Sequence, residues 1–205
     1  MPDDTVAPPP LRGRHALLAD VAIDLVAREG MRALTHRGLD NAAGMPAGTT
    51  SAYFRTREAL VTGLVRRIAE LDRAQLDAGR QSLHEHADLD AVATATAAFV
   101  DHWLSAGRNR ALARYQCLLE TIQYPRLRAI LAPHEEAARE QVRAFLAQAG
   151  APDPRTRARD YVACVDGLIF DRLMGGASVP KPGTAASRAE LAATIRRLLE
   201  AAIRG

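Results

Sequence analysis

Apolar residues recur at helical spacing along nearly all of the 205 residues, and no stretch alternates at period two for long enough to make a strand. A chain patterned in this way is expected to fold as an all-α protein. The first helix, residues 14–29, carries Leu18, Val21, Ala22, Leu25 and Val26 at i, i+3, i+4, i+7 and i+8, and Gly30 suits a left-handed stop. Further on, Leu60, Val61, Leu64, Ile68 and Leu71 form a stripe on a helix that Thr56 caps and that continues toward Leu83. Five more helices are predicted at 89–106, 109–123, 125–149, 155–174 and 187–204. Gly107, the Tyr124-Pro125 step, the cluster 150–154 and the loop 175–187 separate them. That loop, GGASVPKPGTAAS, is expected to be disordered.

Between the first helix and the long one, residues 34–60 read LTHRGLDNAAGMPAGTTSAYFRTREAL. Thr35 is an N-cap for a short helix with Leu39, Ala42 and Ala43 on its apolar face, because its hydroxyl can accept from an orphaned backbone N–H. Gly44 stops that helix, and Met45-Pro46 re-aims the chain into a second short helix over 47–53. The first turn of this second helix is small: Ala47, Gly48, Thr49, Thr50 and Ser51. Small side chains at a helix start let the backbone sit deep in a major groove. Two short helices across a tight turn make a helix-turn-helix, which brings the predicted total to about nine helices and points to double-stranded DNA.

Charge placement agrees with that partner. The net charge is only +3, so any DNA affinity comes from where the charge lies. Residues 11–70 hold nine basic residues (Arg12, Arg14, Arg28, Arg32, Arg37, Arg55, Arg57, Arg66, Arg67) against six acidic ones (Asp20, Asp24, Glu29, Asp40, Glu58, Glu70), which equals the whole excess. Arg12, Arg14, Arg37, Arg55 and Arg57 flank the short helices and are phosphate candidates, while Arg66 and Arg67 read as solvated helix face.

The run from Ala43-Gly44-Met45-Pro46 through Tyr53-Phe54-Arg55-Thr56-Arg57-Glu58-Ala59-Leu60 resembles the tetracycline-repressor (TetR) family of bacterial transcription regulators. The likeness extends upstream through Ala27-Arg28-Glu29-Gly30 and Leu34-Thr35-His36-Arg37, about 60 residues in all. Ser51 stands where that family usually has Tyr, Ala47 where Lys or another polar residue is common, and Thr50 where it has Leu, which suggests a more polar turn of helix. By resemblance, Thr35 caps and meets phosphate, and Arg37 reaches phosphate or a base edge. Ala47, Gly48, Thr49 and Ser51 face the groove, Tyr53 and Arg57 grip the backbone, and Phe54 belongs to the core. The resemblance also implies a homodimer through the last two helices, with Val165, Leu168, Ile169, Leu173, Ile195, Leu198 and Leu199 at the interface. Two heads on a twofold axis suit a palindromic operator.

The body concentrates aromatic residues in a chain with only 4% of them. A pocket for a small-molecule effector is expected from Phe99, His102, Trp103, Tyr115, Gln116, Glu120, Gln123 and Tyr124, since a mostly apolar cavity with a few polar groups is how such sites look. The same aromatics at helical spacing also read as core. The resemblance supplies the reason to prefer an effector that changes the spacing of two heads and releases a repressor.

Other classes lack their requirements. Glu-x-x-His pairs are absent, and His84-Glu85-His86 alternates so that its imidazoles point to different faces of a helix. No nucleophile has a recognisable base beside it. Neither an enzyme nor a metal or other cofactor is expected. Cys117 and Cys164 stand apart without metal or disulfide spacing and read as buried packing residues. No run of about 18 apolar residues is present to span a membrane, and the acidic, proline-rich start lacks the apolar core of a signal peptide, so a cytoplasmic protein is expected. The alternative, a helical adaptor for another protein, leaves the pattern of residues 35–57 unexplained. The predicted organisation is a disordered tail over 1–12, the DNA-binding head over 13–57, a connecting helix over 58–83, and an effector-binding and dimerisation body over 84–205.

Overall fold

The computed structural model describes residues 10–82, 88–175 and 179–204. Among these, nine helices and no strands occur: α1 Gly13–Glu29, α2 His36–Ala42, α3 Thr49–Tyr53, α4 Arg57–Ser82, α5 Leu89–Leu104, α6 Arg108–Gln123, α7 Pro125–Gln148, α8 Pro154–Met174 and α9 Ala185–Arg204. None of the helices is long and apolar enough to cross a membrane among the described residues. The sequence cues act as local physics dictates. Thr35 and Asp88 cap α2 and α5 through side-chain oxygens that accept from Gly38 N and Ala91 N. Pro125 and Pro154 occupy first turns, where a missing N–H costs nothing.

Three differences from expectation have a cause in the structure, while α5 also ends two residues early at Leu104. The helix predicted over 47–53 starts only at Thr49, because Gly48 adopts a left-handed φ of 90°. The last loop is anchored over its described part, residues 179–187. The carboxylate of Asp101 accepts from Gly183 N at 2.9 Å and from Ser187 Oγ at 2.7 Å, so α9 begins two residues early at Ala185. At the other end, Leu11 N donates to Glu70 Oε1 at 2.9 Å, which ties the last residues of the expected tail to α4. The remainder of that tail, residues 1–9, and His84-Glu85-His86 lie outside the described residues.

Two main cores organise the chain. One joins Leu18, Val26, Leu39, Phe54, Leu64 and Ile68 of the head and α4 to Cys117 of α6 and to Leu127 and Leu131 of α7. The apolar interior of the head therefore continues into the body. The other is built by α5, α8 and α9 around Val100, Trp103, Ile169, Leu191, Ile195 and Leu199. Cys117 is fully buried, and burial pushes its thiol up to about 12. Cys164 departs from the expectation of burial: it is exposed, on the face of α8 that the chain itself leaves uncovered.

Candidate DNA-binding head and effector cavity

The turn between α2 and α3 is held by a buried carboxylate. Asp40, on α2, accepts from Gly48 N at 2.8 Å, Thr50 N at 2.7 Å and Thr50 Oγ1 at 2.6 Å. The Thr50 hydroxyl is the largest cause of an acidity held below the usual carboxylate range, with the two backbone donors adding to it. Thr50 itself is fully buried, so its polarity serves Asp40 and does not make the turn more polar outside. Phe54 packs inward as expected, at 5% exposure. Its ring lies against Gly63 so closely that a Cβ there would stand 2.4 Å from Phe54 Cε1. His36 Nε2 donates to Phe54 O at 2.6 Å, and His15 meets the Tyr53 ring edge-on at 4.8 Å.

With the interior fixed in this way, the outer side of the head carries Thr35, Arg37, Ala47, Gly48 and Ser51 exposed, with Thr49 and Tyr53 half-buried. The Thr49 hydroxyl donates to Pro46 O at 2.7 Å and is thus already engaged within the turn. Arg12, Arg14 and Arg55 are exposed on the same small head. Arg57 is exposed as a residue, yet its guanidinium donates to Leu34 O at 2.5 Å and to Met31 O at 3.4 Å. Arg67 is not solvated face: it holds Asp20 of α1 at 2.7 Å and Glu70 at 3.4 Å.

The expected effector residues do not come together in one place. Phe99 and Trp103 line a cavity of about 170 Å³ between α4, α5, α7 and α8. Gln116 instead reaches the end of α1, where Oε1 accepts from Met31 N at 3.0 Å and Nε2 donates to Val26 O at 2.9 Å. Glu120 and Tyr124 lie in a second hollow, of about 280 Å³, beside Arg57 and Val61. His102 is exposed, while the Tyr115 hydroxyl donates to Asp166 O at 3.1 Å. The side chain of Gln123 lies outside the described residues.

Arg114, His134, Tyr161 and Val165 complete much of the cavity wall and were not among the expected pocket residues. Beneath them runs a charged network. Asp72, with no exposure, pairs with Arg110 at 3.2 Å and Arg114 at 3.7 Å. Arg114 also reaches Glu135 at 3.4 Å, and Arg128 meets Glu135 at 2.7 Å. Burial raises Asp72 to about 6 in spite of the two arginines. The same burial, with the positive charge of Arg114, Arg110 and Arg73, lowers His134 to about 4. Trp103 lies under both guanidinium groups, 5.6 Å from Arg114 and 5.9 Å from Arg110, and its Nε1 donates to Gln75 Oε1 at 3.2 Å. One signal in the sequence pointed here: Asp72 continues the Leu64, Ile68 stripe at i+4, so a charge stands on the buried face of α4.

Of the expected interface residues, Val165 and Ile169 line the cavity, and Leu173, Ile195 and Leu199 are buried in the chain's own second core. Leu168 and Leu198 are half-buried. Apolar surface remains on the outer side of α8, with Phe170 49% and Met174 54% exposed, and on α6, with Leu119 68% and Ile122 78% exposed.

An all-helical body behind a braced helix-turn-helix defines a DNA-binding transcriptional regulator. Residues 87–201 match the family described as Tetracyclin repressor-like, C-terminal domain, and the chain belongs to the TetR family. Solved structures agree. A transcriptional regulator from Rhodococcus sp. Rha1 superposes with a TM-score of 0.76 at 22% identity, over 93% of this chain and 98% of that one. A TetR-family member from Streptomyces coelicolor A3 gives 0.67 at 26% identity, over 91% and 98%. The multidrug binding protein EbrR, in complex with imidazole, gives 0.61 at 26% identity, over 92% and 96%. No protein of curated function matches the chain.

Proposed function

We propose that the chain is a repressor that binds a palindromic operator as a twofold dimer and leaves it when a small molecule enters the cavity beside Trp103. The observation that carries this reading is the course of α6. From one helix, Arg110 and Arg114 reach the charged floor of the cavity, while Asn109 donates to Asp24 of α1 at 2.9 Å and Gln116 holds both Met31 N and Val26 O. A ligand that shifts Arg114 thereby shifts the helix on which the head is carried. Differential affinity for two arrangements of that helix is what release requires. EbrR, which binds imidazole, supports a ligand site in a protein of this fold. On the DNA side, the proposed contacts are Thr35, Arg37, Ala47, Gly48, Thr49, Ser51, Tyr53 and Arg57, and the division of the chain into head, connecting helix and body belongs to the same reading. The exposed outer side of α8 is the proposed meeting surface of the two copies.

Selection of bound duplexes from a random pool at roughly physiological salt tests it. A recovered palindrome with half-sites about one helical turn apart, bound by a dimer, is the expected result. Weak, motif-free, salt-sensitive binding by a monomer would overturn it.

A further inference from the structure

Resting on the effector reading above, we propose that the cavity takes an uncharged aromatic molecule of about one ring, bearing a hydroxyl or amide that meets the Tyr161 hydroxyl and His134 Nδ1. Three observations lead there. The first is size: an apolar cavity of about 150 Å³ admits benzene, and this one is of about 170 Å³ with Phe99, Trp103, Tyr161 and Val165 in its wall. Phe99 and Trp103 stand 5.4 Å apart with their planes inclined by 34°, which leaves an aromatic surface for a flat guest.

The second observation is unmet hydrogen bonding. His134 Nδ1 is buried without a partner, and the Tyr161 hydroxyl, although it faces Thr96, is buried without a hydrogen bond of good geometry. Both residues line the cavity and are more than nine-tenths buried, at 9% and 5% exposure. Buried polar groups left unpaired are costly, and a guest that pairs them removes that cost.

Charge is the third. Each arginine in the wall already carries an acid: Arg114 holds Asp72 and Glu135, and Arg139 holds Glu135 and Glu136. An anion would therefore have to draw a guanidinium away from Asp72 or Glu135, both of them buried, whereas Glu136 is exposed. A cation would enter a space where burial first, and the nearby arginines second, already disfavour a charged His134. Among the described residues Asp166 is the wall's one acid without an ion pair; the residue is exposed overall, yet burial on its cavity side is the main cause that raises its carboxyl above the usual range. A neutral guest disturbs none of these pairs.

The chain's single tryptophan is Trp103, so quenching of its fluorescence reports occupancy of this cavity. Four probes of matched shape separate the chemistries: 4-methylphenol, toluene, 4-methylbenzoate and 4-methylbenzylammonium, titrated into the full chain near neutral pH. We expect 4-methylphenol to bind at least about tenfold more tightly than either ion. Tyr161→Phe should weaken it about fivefold and leave toluene unchanged. Ala138→Phe, which fills the cavity from α7, should abolish quenching by all four. Tighter binding of either ion would overturn the neutral class while leaving an effector cavity in place. An unchanged 4-methylphenol affinity in Tyr161→Phe would overturn the role of that hydroxyl. No saturable quench by any probe, or a quench that survives Ala138→Phe, would overturn the effector reading along with it.

Discussion

Asp40 accepts from Thr50 twice, from its backbone N–H at 2.7 Å and from its hydroxyl at 2.6 Å, so one carboxylate on α2 sets the angle at which α3 leaves the turn. A third bond, from Gly48 N at 2.8 Å, completes the acid's coordination. Asp40→Ala strands the N–H and the hydroxyl of Thr50 in a buried position and leaves the partly buried Gly48 N–H without its acceptor, at a cost of roughly 2–4 kcal/mol. For a chain of this size that lowers Tm by roughly 5–10 °C. Because the folded acidity is held below the usual carboxylate range, the contribution is complete above the ordinary value of 3.8 and is lost as pH falls through the folded one. Thermal melts of wild type and Asp40→Ala at neutral pH check this, and equal midpoints would deny Asp40 its bracing role.

Gly63 matters through what it does not have. A Cβ there would meet Phe54 Cε1 at 2.4 Å and Cζ at 2.9 Å, in a core where Phe54 is 5% exposed and cannot swing aside. Alanine gains about 1 kcal/mol of helix propensity over glycine, while forced repacking of a filled core costs about 1–3 kcal/mol. Gly63→Ala is therefore expected to destabilise modestly, and to weaken DNA binding because Phe54 follows α3 directly. Phe54→Leu placed on Gly63→Ala should restore part of both losses. Failure of the double variant to recover would show that the clash is not the cause.

Gln116 joins body to head with two bonds to backbone: it accepts from Met31 N, and it donates to Val26 O, which also accepts from Gly30 N. Gln116→Leu keeps the volume and removes both bonds. The amide of Met31 should then exchange faster with solvent, by about tenfold if one net hydrogen bond of about 1.4 kcal/mol is lost. In the same variant the operator affinity should respond less to any cavity ligand. Unchanged exchange at Met31 would remove Gln116 from the path between cavity and head.

Legibility in the sequence followed the range of the interactions. The helices were readable because their stops and caps are local: Gly30, Thr35, Asp88, Pro125 and Pro154 act within a few residues of where they stand. The inward turn of Phe54 was readable as well. What was not readable depends on pairs far apart in the chain. Thr50 looks like a polar surface substitution until Asp40 is placed beside it, and Gln116 shares a helical face with Glu120, yet reaches residues 85 and 90 positions away. Between Asp160 and Asp171, only Asp166 and Gly167 interrupt an otherwise apolar stretch of α8. Periodicity therefore could not assign Val165 and Ile169 to the cavity wall and Phe170 to the outside.

Asp72 and His134 titrate against each other across one pH window. Asp72 is raised to about 6, so the stability it favours is present below 3.8 and is lost as pH rises through 6. His134 is lowered to about 4, so its contribution is present above 6.5 and is lost as pH falls through 4. Between pH 6.5 and 4 the two nearly offset each other, and wild type should show a shallow profile. His134→Gln removes the opposing half, and its Tm should climb on acidification across this window. A profile that falls as steeply as wild type or more so would contradict the assignment of the buried charge to Asp72.

Arg37 and Arg57 are both exposed on the head, but only Arg57 has work inside the fold. Arg37 has no partner among the described contacts, whereas the Arg57 guanidinium closes the α1–α2 connection on Leu34 O and Met31 O. Removing a phosphate contact lowers the dependence of log K on log salt by about one unit. Arg37→Ala is expected to reduce that slope, or to relax preference at one base position, with Tm unchanged. Arg57→Ala should weaken binding evenly across sequences and also lower Tm by a few degrees, since two backbone carbonyls lose a charged donor. Arg57→Lys separates the two roles, because lysine keeps the charge and loses the fork that reaches both carbonyls. Its salt slope should stay near that of wild type while its Tm follows Arg57→Ala. A wild-type Tm with a reduced slope would assign Arg57 to phosphate alone.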